Sequence, residues 1–196
     1  MAVARRDPRE NVRQLLRDRA GIKLDLGCGA TKQQGWVGLD RRAVKGVDLV
    51  HDIETLPWPL PDDCAVTVLC SQLLQYVDPR RFFDVMGEVH RVCRHDAQVQ
   101  VSVPYAGSEG AFQDPTSLHS GYTPGTWYYL DPRPVLGRPN ALYAVHQPPP
   151  FFVERLEWDV VTNVEVLLRV VKDRAVLRAA LRVPPKLRVA HKGEAR

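Results

Sequence analysis

The sequence predicts an α/β fold in which a mostly parallel sheet ends in an antiparallel strand pair, with reduced helices between the first strands. Three observations support this prediction. An apolar segment, Ile22–Leu26, runs into a Gly-Cys-Gly turn and then a short strand that ends at Asp40. A helical pattern over residues 79–93 lies between two further apolar strands. The last two apolar segments, residues 151–161 and 163–171, adjoin as in a hairpin.

The composition describes one globular domain without a membrane-spanning segment. The chain has 196 residues, of which 44% are hydrophobic and 26% charged, so it is long enough to bury a sizeable core. No apolar run reaches the length that a bilayer requires, and residues 1–10 lack the apolar stretch of a secretory signal. We therefore expect a single domain over residues 1–183 in a cytoplasmic protein, with no membrane partner.

The cysteines and histidines bear on metal binding, and the basic residues bear on possible partners. Four cysteines show no metal-binding spacing and six histidines are scattered, so we expect free thiols and no metal site. Residues 169–196 carry a net charge of +7 within a total of +4. This basic end could bind nucleic acid, a phosphorylated substrate or an acidic partner. We favour a solvated helix and a mobile basic tail, residues 184–196, because no aromatic residues interleave it.

The first elements of the chain are short. Residues 7–21 predict a helix, which strands at residues 22–26, 36–39 and 48–51 follow. The links between these strands have few residues, whereas a parallel crossover usually takes a dozen or more and includes a helix. We therefore expect a fold that lacks its first helices. Backbone amides of the glycine turn would then do more of the ligand binding, because less of a helix dipole is available.

More regular elements follow. Residues 65–70 form a continuous apolar run, which is typical of a central parallel strand. Asp78-Pro79 begins the best helix, whose apolar residues up to Cys93 share one face. Residues 98–103 alternate between apolar and polar, which predicts a strand with one poorly covered face. Asp173 can cap a last helix that ends near Leu181.

Residues 104–150 are the most informative region after the glycine turn. They are rich in Pro and Gly and contain seven of the fifteen aromatic residues. A long segment without clear periodicity is typical of a substrate-side lid. Thr123-Pro124 can begin a short helix through Leu130, whose aromatic residues are more typical of a pocket wall than of chemistry.

The glycine turn and the strand after it resemble the cofactor site of class I S-adenosylmethionine-dependent methyltransferases. The motif Leu-x-Leu-Gly-Cys-Gly occupies residues 24–29, and Gly-Trp-x-x-x-Asp occupies residues 35–40. Both are found in the small methyltransferase-11-like group, and the resemblance extends over about residues 23–131. The main competitor is a nicotinamide or flavin Rossmann site, which needs a third glycine where this chain has Lys32.

The resemblance implies a Rossmann-like fold, S-adenosylmethionine as cofactor, and methyltransferase activity (EC 2.1.1.-). Asp40 would hold the ribose, and Asp52 would accept from the adenine amino group, although Asp52 can instead cap a turn. Ile53 would offer its amide to the adenine ring, and the end of the fourth strand would lie beside the methionine part. The implied cofactor-binding residues are Asp25, Gly27, Cys28, Gly29, Asp40, Arg41, Asp52, Ile53, Ser71 and Gln72.

On the substrate side the chain departs from the family pattern. The family often reads Leu-Glu-His-Val where residues 74–77 read Leu-Gln-Tyr-Val, and Asp-Pro-Thr-His where residues 114–117 read Asp-Pro-Thr-Ser. Asp114 and His119 are our candidates for substrate contact and proton removal. The alternative is that Asp114 caps a turn and His119 is a surface residue. The candidate substrate-binding residues are Tyr76, Tyr105, Tyr122 and Trp127.

The predicted function is methyl transfer to an oxygen, nitrogen or carbon atom of a small-molecule acceptor, such as a sugar or a natural-product intermediate. A general base is optional, since a sulfonium methyl is already activated. One alternative is a non-catalytic binding or regulatory protein with the same fold, which the altered substrate-side segments favour. Another is a nucleic-acid methyltransferase that uses the basic tail. Residues 71–74 read Ser-Gln-Leu-Leu, so the base-methylating Asn/Asp-Pro-Pro-Tyr/Phe motif is absent.

Overall fold

The chain forms an eight-stranded sheet in the computed structural model, which describes residue 16 and residues 21–118, 121–135, 138–159, 161–182 and 188–191. The strands are β1 (Ile22–Leu26), β2 (Val37–Asp40), β3 (Leu49–Val50), β4 (Ala65–Ser71), β5 (Cys93–Pro104), β6 (Phe151–Trp158), β7 (Asn163–Val170) and β8 (Arg188–His191). Their order is β3-β2-β1-β4-β5-β7-β6-β8. The first five are mutually parallel, β7 is antiparallel to both neighbours, and β8 is parallel to β6.

Short links without helices join the first three strands, as the sequence predicted. Residues 27–36 connect β1 to β2 and residues 41–48 connect β2 to β3, and neither link contains a helix. The Asp48 carboxylate ties the two links together. It accepts from the ammonium group of Lys32 at 2.7 Å and from the amide of Gly38 at 2.8 Å. Side-chain hydrogen bonds, and not a packed helix, therefore hold the two links against each other.

The helix predicted after Pro79 forms, and its apolar face covers the sheet. A 3₁₀ turn, Pro79–Arg81, leads into α1 (Phe82–Val92). The Asp78 carboxylate caps the turn by accepting from the amide of Arg80 at 2.9 Å. The other described helices are the 3₁₀ helix Leu74–Tyr76, α2 (Gly110–Gln113), the 3₁₀ helix Pro124–Leu130, α3 (Ala141–His146) and α4 (Arg174–Ala180), which Asp173 caps.

Strand β5 is longer than the alternating pattern predicted. It begins at Cys93, directly after α1, rather than at Gln98. The pairing with β4 is irregular over these first residues, and Asp96 has a φ of 63°, so the early part of the strand is bulged and its periodicity is broken. Further along, Gln98 and Gln100 are exposed. The predicted uncovered face of this strand is therefore present.

Residues 104–150 contain less loop than the sequence predicted. Tyr122, Trp127 and Leu130 are buried in the main core, with exposed fractions of 1% or less. The Asp131 carboxylate accepts from the Arg133 guanidinium at 2.7 Å and from the amide of Val153 at 2.9 Å. These bonds anchor the second half of the segment to β6, so this half is part of the structural core rather than a lid.

Several predictions concern the ends of the chain and one loop position. The predicted first helix lies outside the described residues except for Leu16, which is helical and packs against the core. His119 also lies outside them. The tail was predicted to be mobile from residue 184, but Arg188–His191 pair with β6 as an edge strand. None of the helices in the described part is long and apolar enough to cross a bilayer.

Candidate functional site

A cavity of about 410 Å³ opens at the carboxyl ends of the first four strands. The strand order changes direction between β1 and β4, and ligands of open α/β sheets bind in the crevice at such a point. Eight residues predicted for the site line this cavity together. They are Gly27, Asp40, Arg41, Asp52, Ile53, Gln72, Tyr76 and Asp114.

The turn after β1 depends on two glycines. Gly27 has a φ of 65° and Gly29 a φ of 52°, a region that residues with a Cβ atom rarely adopt. A Cβ atom on Gly27 would also lie 2.6 Å from the nearest carbon of Leu73. The turn therefore requires glycine at position 27 for two reasons, the backbone conformation and the close approach of the strand end beyond β4.

The amides of this turn bond to β2 instead of pointing to the cavity. The amide of Gly27 donates to the carbonyl of Leu39 at 2.8 Å, and the amide of Cys28 donates to the same oxygen at 3.4 Å. The amide of Gly29 donates to the Asp40 carboxylate at 2.9 Å. The expectation that these amides would contact the ligand is therefore wrong, because β2 lies close enough to take all three.

Asp40 is the central polar group of the cavity. Its side chain accepts from the amides of Gly29 and Arg42, at 2.9 and 2.8 Å, and from Nε of Arg42 at 3.3 Å. Burial alone would raise its pKa, but these hydrogen bonds together outweigh burial and hold the pKa below its ordinary value. The group is therefore a carboxylate near neutral pH. Three of its roughly four lone-pair sites are occupied, so it can accept one more hydrogen bond directly.

Asp25 and Cys28 lie behind the cavity wall instead of in it. Asp25 is 5% exposed and accepts from the amide of Gln33 at 3.0 Å, which holds the link after the glycine turn. Burial raises the pKa of Asp25. Burial, with the nearby charge of Asp25, also raises the pKa of the Cys28 thiol to about 11. Neither residue lines the cavity, so both support the turn from behind.

Asp52 and Ile53 form the wall beyond β3. The Asp52 carboxylate accepts from the amide of Glu54 at 3.0 Å, which is the turn-capping role that the sequence left open, and it also lines the cavity. The carbonyl of Ile53 accepts from the indole Nε1 of the buried Trp58 at 2.8 Å. This bond ties the loop at Ile53 to a side chain of the core. The exposed Arg41 lies beside them.

The end of β4 contributes Gln72 but not Ser71. Gln72 has a φ of 52°, and its amide donates to the carbonyl of Ser102 on β5 at 2.8 Å. The positive φ turns the chain out of the sheet directly at the cavity. Ser71 is exposed and is not a lining residue, because it still lies within the strand.

Tyr76 and Asp114 form a hydrogen-bonded pair at one side of the cavity. The Tyr76 hydroxyl donates to Asp114 at 2.6 Å, and Asp114 also accepts from the amide and hydroxyl of Thr116, at 2.8 and 2.7 Å. Bonds from Tyr76 and Thr116 lower the pKa of Asp114, and the bond to Asp114 raises the pKa of Tyr76. A carboxylate with a lowered pKa is a weak proton acceptor, which argues against proton removal by Asp114.

A second cavity, of about 400 Å³, adjoins the first. Gln72, Tyr76 and Asp114 line both. The Tyr76–Asp114 pair therefore stands at the boundary between the two spaces. The remaining lining residues of the second cavity are Gln75, Pro104, Gly110, Gln113, Pro115 and Ser117.

Three of the predicted substrate-binding aromatics lie elsewhere. Trp127 is 0% exposed and Tyr122 is 1% exposed, and the Tyr122 hydroxyl donates to the carbonyl of Leu74 at 3.0 Å. Tyr105 packs against the core and lines neither cavity. The predictions for Tyr122 and Trp127 were wrong, because both side chains are buried in the core beside Phe82.

Several lining residues were missed by the sequence analysis. Three of them, Arg42, Glu54 and Thr116, stand two positions after Asp40, Asp52 and Asp114 respectively. In each case the aspartate accepts from the amide of that residue. Aspartate side chains often accept from the backbone amide two residues further along the chain. The three aspartates therefore pointed to these lining residues in the sequence. The other missed residues are His51, Leu73 and Val77.

Within the described ranges, no group of three or more His, Cys, Asp or Glu side chains could hold a metal ion. All four cysteines are buried free thiols.

Comparison with known proteins supports the fold. No protein-family model matches the chain, and no curated protein matches its sequence. A SAM-dependent methyltransferase from Archaeoglobus fulgidus is similar with a TM-score of 0.51 and 14% identity, over 82% of this chain and 94% of that one. The 1,6-didemethyltoxoflavin-N1-methyltransferase of Burkholderia thailandensis has a TM-score of 0.53 and 15% identity, over 85% and 78% of the two chains.

A third similar structure is a 16S rRNA adenine-N1-methyltransferase from Catenulisporales acidiphilia, with a TM-score of 0.52 and 19% identity over 86% of this chain and 93% of that one. At these identities the likeness concerns the fold alone. The predicted Rossmann-like architecture, a mostly parallel sheet with an antiparallel pair, is therefore confirmed as the one that these SAM-dependent methyltransferases share.

Proposed function

We propose that this chain is a methyltransferase that binds S-adenosylmethionine in the first cavity and methylates a small-molecule acceptor. The observation that carries the proposal is the position of the buried Asp40 carboxylate, beside the Gly27 turn and at the carboxyl edge of β2. A carboxylate there can accept from a ribose hydroxyl. The fold that this chain shares with solved methyltransferases supports the same conclusion.

The residues present fit this cofactor. The cavity volume lies within the usual range for small-molecule sites. Asp40 has one acceptor site left, and the long bond from Arg42 Nε, whose side chain is 64% exposed, can give way so that a second hydroxyl binds. Asp52 and Ile53 line the wall where the resemblance assigns the adenine. Gln72 and Leu73, at the end of β4, border the side assigned to the methionine part.

The chemistry requires little beyond alignment. When bound, S-adenosylmethionine supplies a methyl group on a positively charged sulfur. The acceptor atom would take that methyl group with its own lone pair, the sulfur would keep the electrons of the broken sulfur–carbon bond, and the acceptor would release a proton to solvent. Tyr76 and Asp114 would position the acceptor at the boundary of the two cavities.

Calorimetric titration tests the cofactor, and label transfer tests the acceptor. We expect S-adenosylmethionine and S-adenosylhomocysteine to bind wild type and to bind Asp40→Ala much more weakly. With methyl-labelled cofactor and a cell extract, label should enter the low-molecular-mass fraction. Binding of neither compound would refute the enzyme and leave a binding protein of the same fold. Label confined to RNA would instead identify a nucleic-acid methyltransferase.

A further inference from the structure

Asp114 carries the formal charge at the boundary of the two cavities. Among the described residues, three line both spaces, and of these Gln72 and Tyr76 are uncharged. Asp114 is exposed, so a molecule in either cavity can reach its carboxylate. Bonds from Tyr76 and Thr116 lower the pKa of Asp114 below its ordinary value, so the group is ionised near neutral pH.

The hydrogen bonds of Asp114 hold its side chain without cancelling its charge. The carboxylate accepts from the hydroxyl of Tyr76 and from the amide and hydroxyl of Thr116, and all three donors are neutral. Asp40 differs, because its carboxylate also forms an ion pair with Arg42. A carboxylate that neutral donors fix in place can attract a positive charge on a ligand.

The proposed reaction brings such a charge to this boundary. The resemblance assigns the adenine to the wall of Asp52 and Ile53, and the ribose to Asp40, all of which line the first cavity. An acceptor in the second cavity can take the methyl group only where the two cavities meet. The sulfur that carries the methyl group is positively charged, so its charge lies on the Asp114 side of the first cavity.

We propose that Asp114 distinguishes S-adenosylmethionine from S-adenosylhomocysteine through the positive charge that only the first compound carries on sulfur. The inference rests on the proposed methyltransferase function and names a specificity-determining residue for it. Methyl transfer removes the positive charge from sulfur. The product then lacks the charge that the carboxylate attracts, so a new molecule of S-adenosylmethionine replaces it more readily.

Calorimetric titration of the full chain with both compounds tests the proposal, since they differ by one methyl group and one charge. Solvent screens an exposed carboxylate, so the expected effect is modest. Asp114→Asn should raise the Kd of S-adenosylmethionine about three- to tenfold and leave that of S-adenosylhomocysteine within about twofold. The asparagine keeps an oxygen for Thr116 and an amide group for Tyr76, so the variant loses the charge and keeps the contacts. Retained binding of S-adenosylhomocysteine also shows that the variant is folded.

Asp52→Asn is the matched control. Asp52 also lines the first cavity and accepts from the amide two residues further along the chain, but it lies on the wall assigned to the adenine. Because both compounds contain adenine, we expect this variant to change the two Kd values by the same factor. In wild type, the preference for S-adenosylmethionine should also decrease more steeply with added sodium chloride than in Asp114→Asn.

Three results overturn the proposal. Asp114→Asn changes both Kd values equally, or it changes neither, or Asp52→Asn loses S-adenosylmethionine as selectively as Asp114→Asn does. In the last case the preference would belong to the whole cavity and not to Asp114. Failure of the proposed function gives a different result, because wild type would then bind neither compound.

Discussion

Replacing Asp40 by Asn tests the proposed cofactor site with a change of one atom type. In wild type, one carboxylate oxygen accepts from the amide of Gly29 and the other accepts from Arg42. In the variant, an NH₂ group replaces one oxygen and faces a donor. One buried donor is then left unpaired, which costs about 1–3 kcal/mol of folding free energy.

The same change should weaken cofactor binding by a calculable amount. A hydrogen bond from a ribose hydroxyl contributes about 1.5–3 kcal/mol to a charged acceptor but only about 0.5–1.5 kcal/mol to a neutral one, so losing the charge should raise the Kd of S-adenosylhomocysteine about 5- to 13-fold. Calorimetry measures the Kd, and urea unfolding measures the stability. Below the lowered pKa of Asp40, wild type should lose its advantage, because protonation removes the same charge.

Asp48→Asn is the matched control. Asp48 also accepts from a backbone amide and a cationic side chain, namely Gly38 and Lys32, but it does not line the cavity. We expect a comparable loss of stability with the Kd unchanged within about twofold. The reasoning is refuted if Asp40→Asn binds S-adenosylhomocysteine as tightly as wild type, or if both variants lose affinity equally.

Three other predictions concern the support of the site. Gly27→Ala should destabilise the protein by about 1–3 kcal/mol more than Gly35→Ala in urea unfolding, since both positions have positive φ but only the first meets Leu73; equal losses would contradict this. Glu88→Gln should cost about 3 kcal/mol at neutral pH, because the carboxylate holds Arg91. Burial alone would raise the pKa of Glu88, but its hydrogen bonds outweigh burial and lower it. The carboxylate therefore stabilises the fold above pH 4.5, and this stabilisation is lost as the pH falls through the lower pKa of the folded state. The urea midpoints of wild type and Glu88→Gln should converge in acid, and midpoints that stay equally far apart at every pH would contradict this role of Glu88. Burial raises the pKa of the Cys70 and Cys93 thiols to about 12. Ellman's reagent at pH 8 should therefore label these two cysteines only after unfolding.

The location of the first cavity was predictable from sequence because it depends on local chain geometry. Gly27 and Asp40 each follow a short apolar strand, and the carboxyl ends of neighbouring parallel strands meet at one edge of a sheet. The order of these residues along the chain therefore fixes their proximity. Asp52 follows the next strand in the same way. The resemblance to the methyltransferase family, rather than strand order alone, supplied the eight lining residues that were named without coordinates.

The aromatic residues of the 104–150 segment could not be placed in the same way. Tyr76, which precedes the segment, lines both cavities, whereas Tyr122 and Trp127 within it fill the core. An aromatic side chain serves either purpose, since both offer apolar contact. Which one occurs depends on the elements that cover each part of the sheet, and residue order does not specify them.

The sequence by itself determined the α/β fold, the short links between the first strands and the turn that requires Gly27, because strand length and backbone conformation are local properties. The tertiary structure alone decided where polar groups find partners. It directed the amide of Gly29 to Asp40 and joined Tyr76 to Asp114. Hydrogen bonding between residues far apart in the chain depends on distances of a few ångströms, which residue order does not specify.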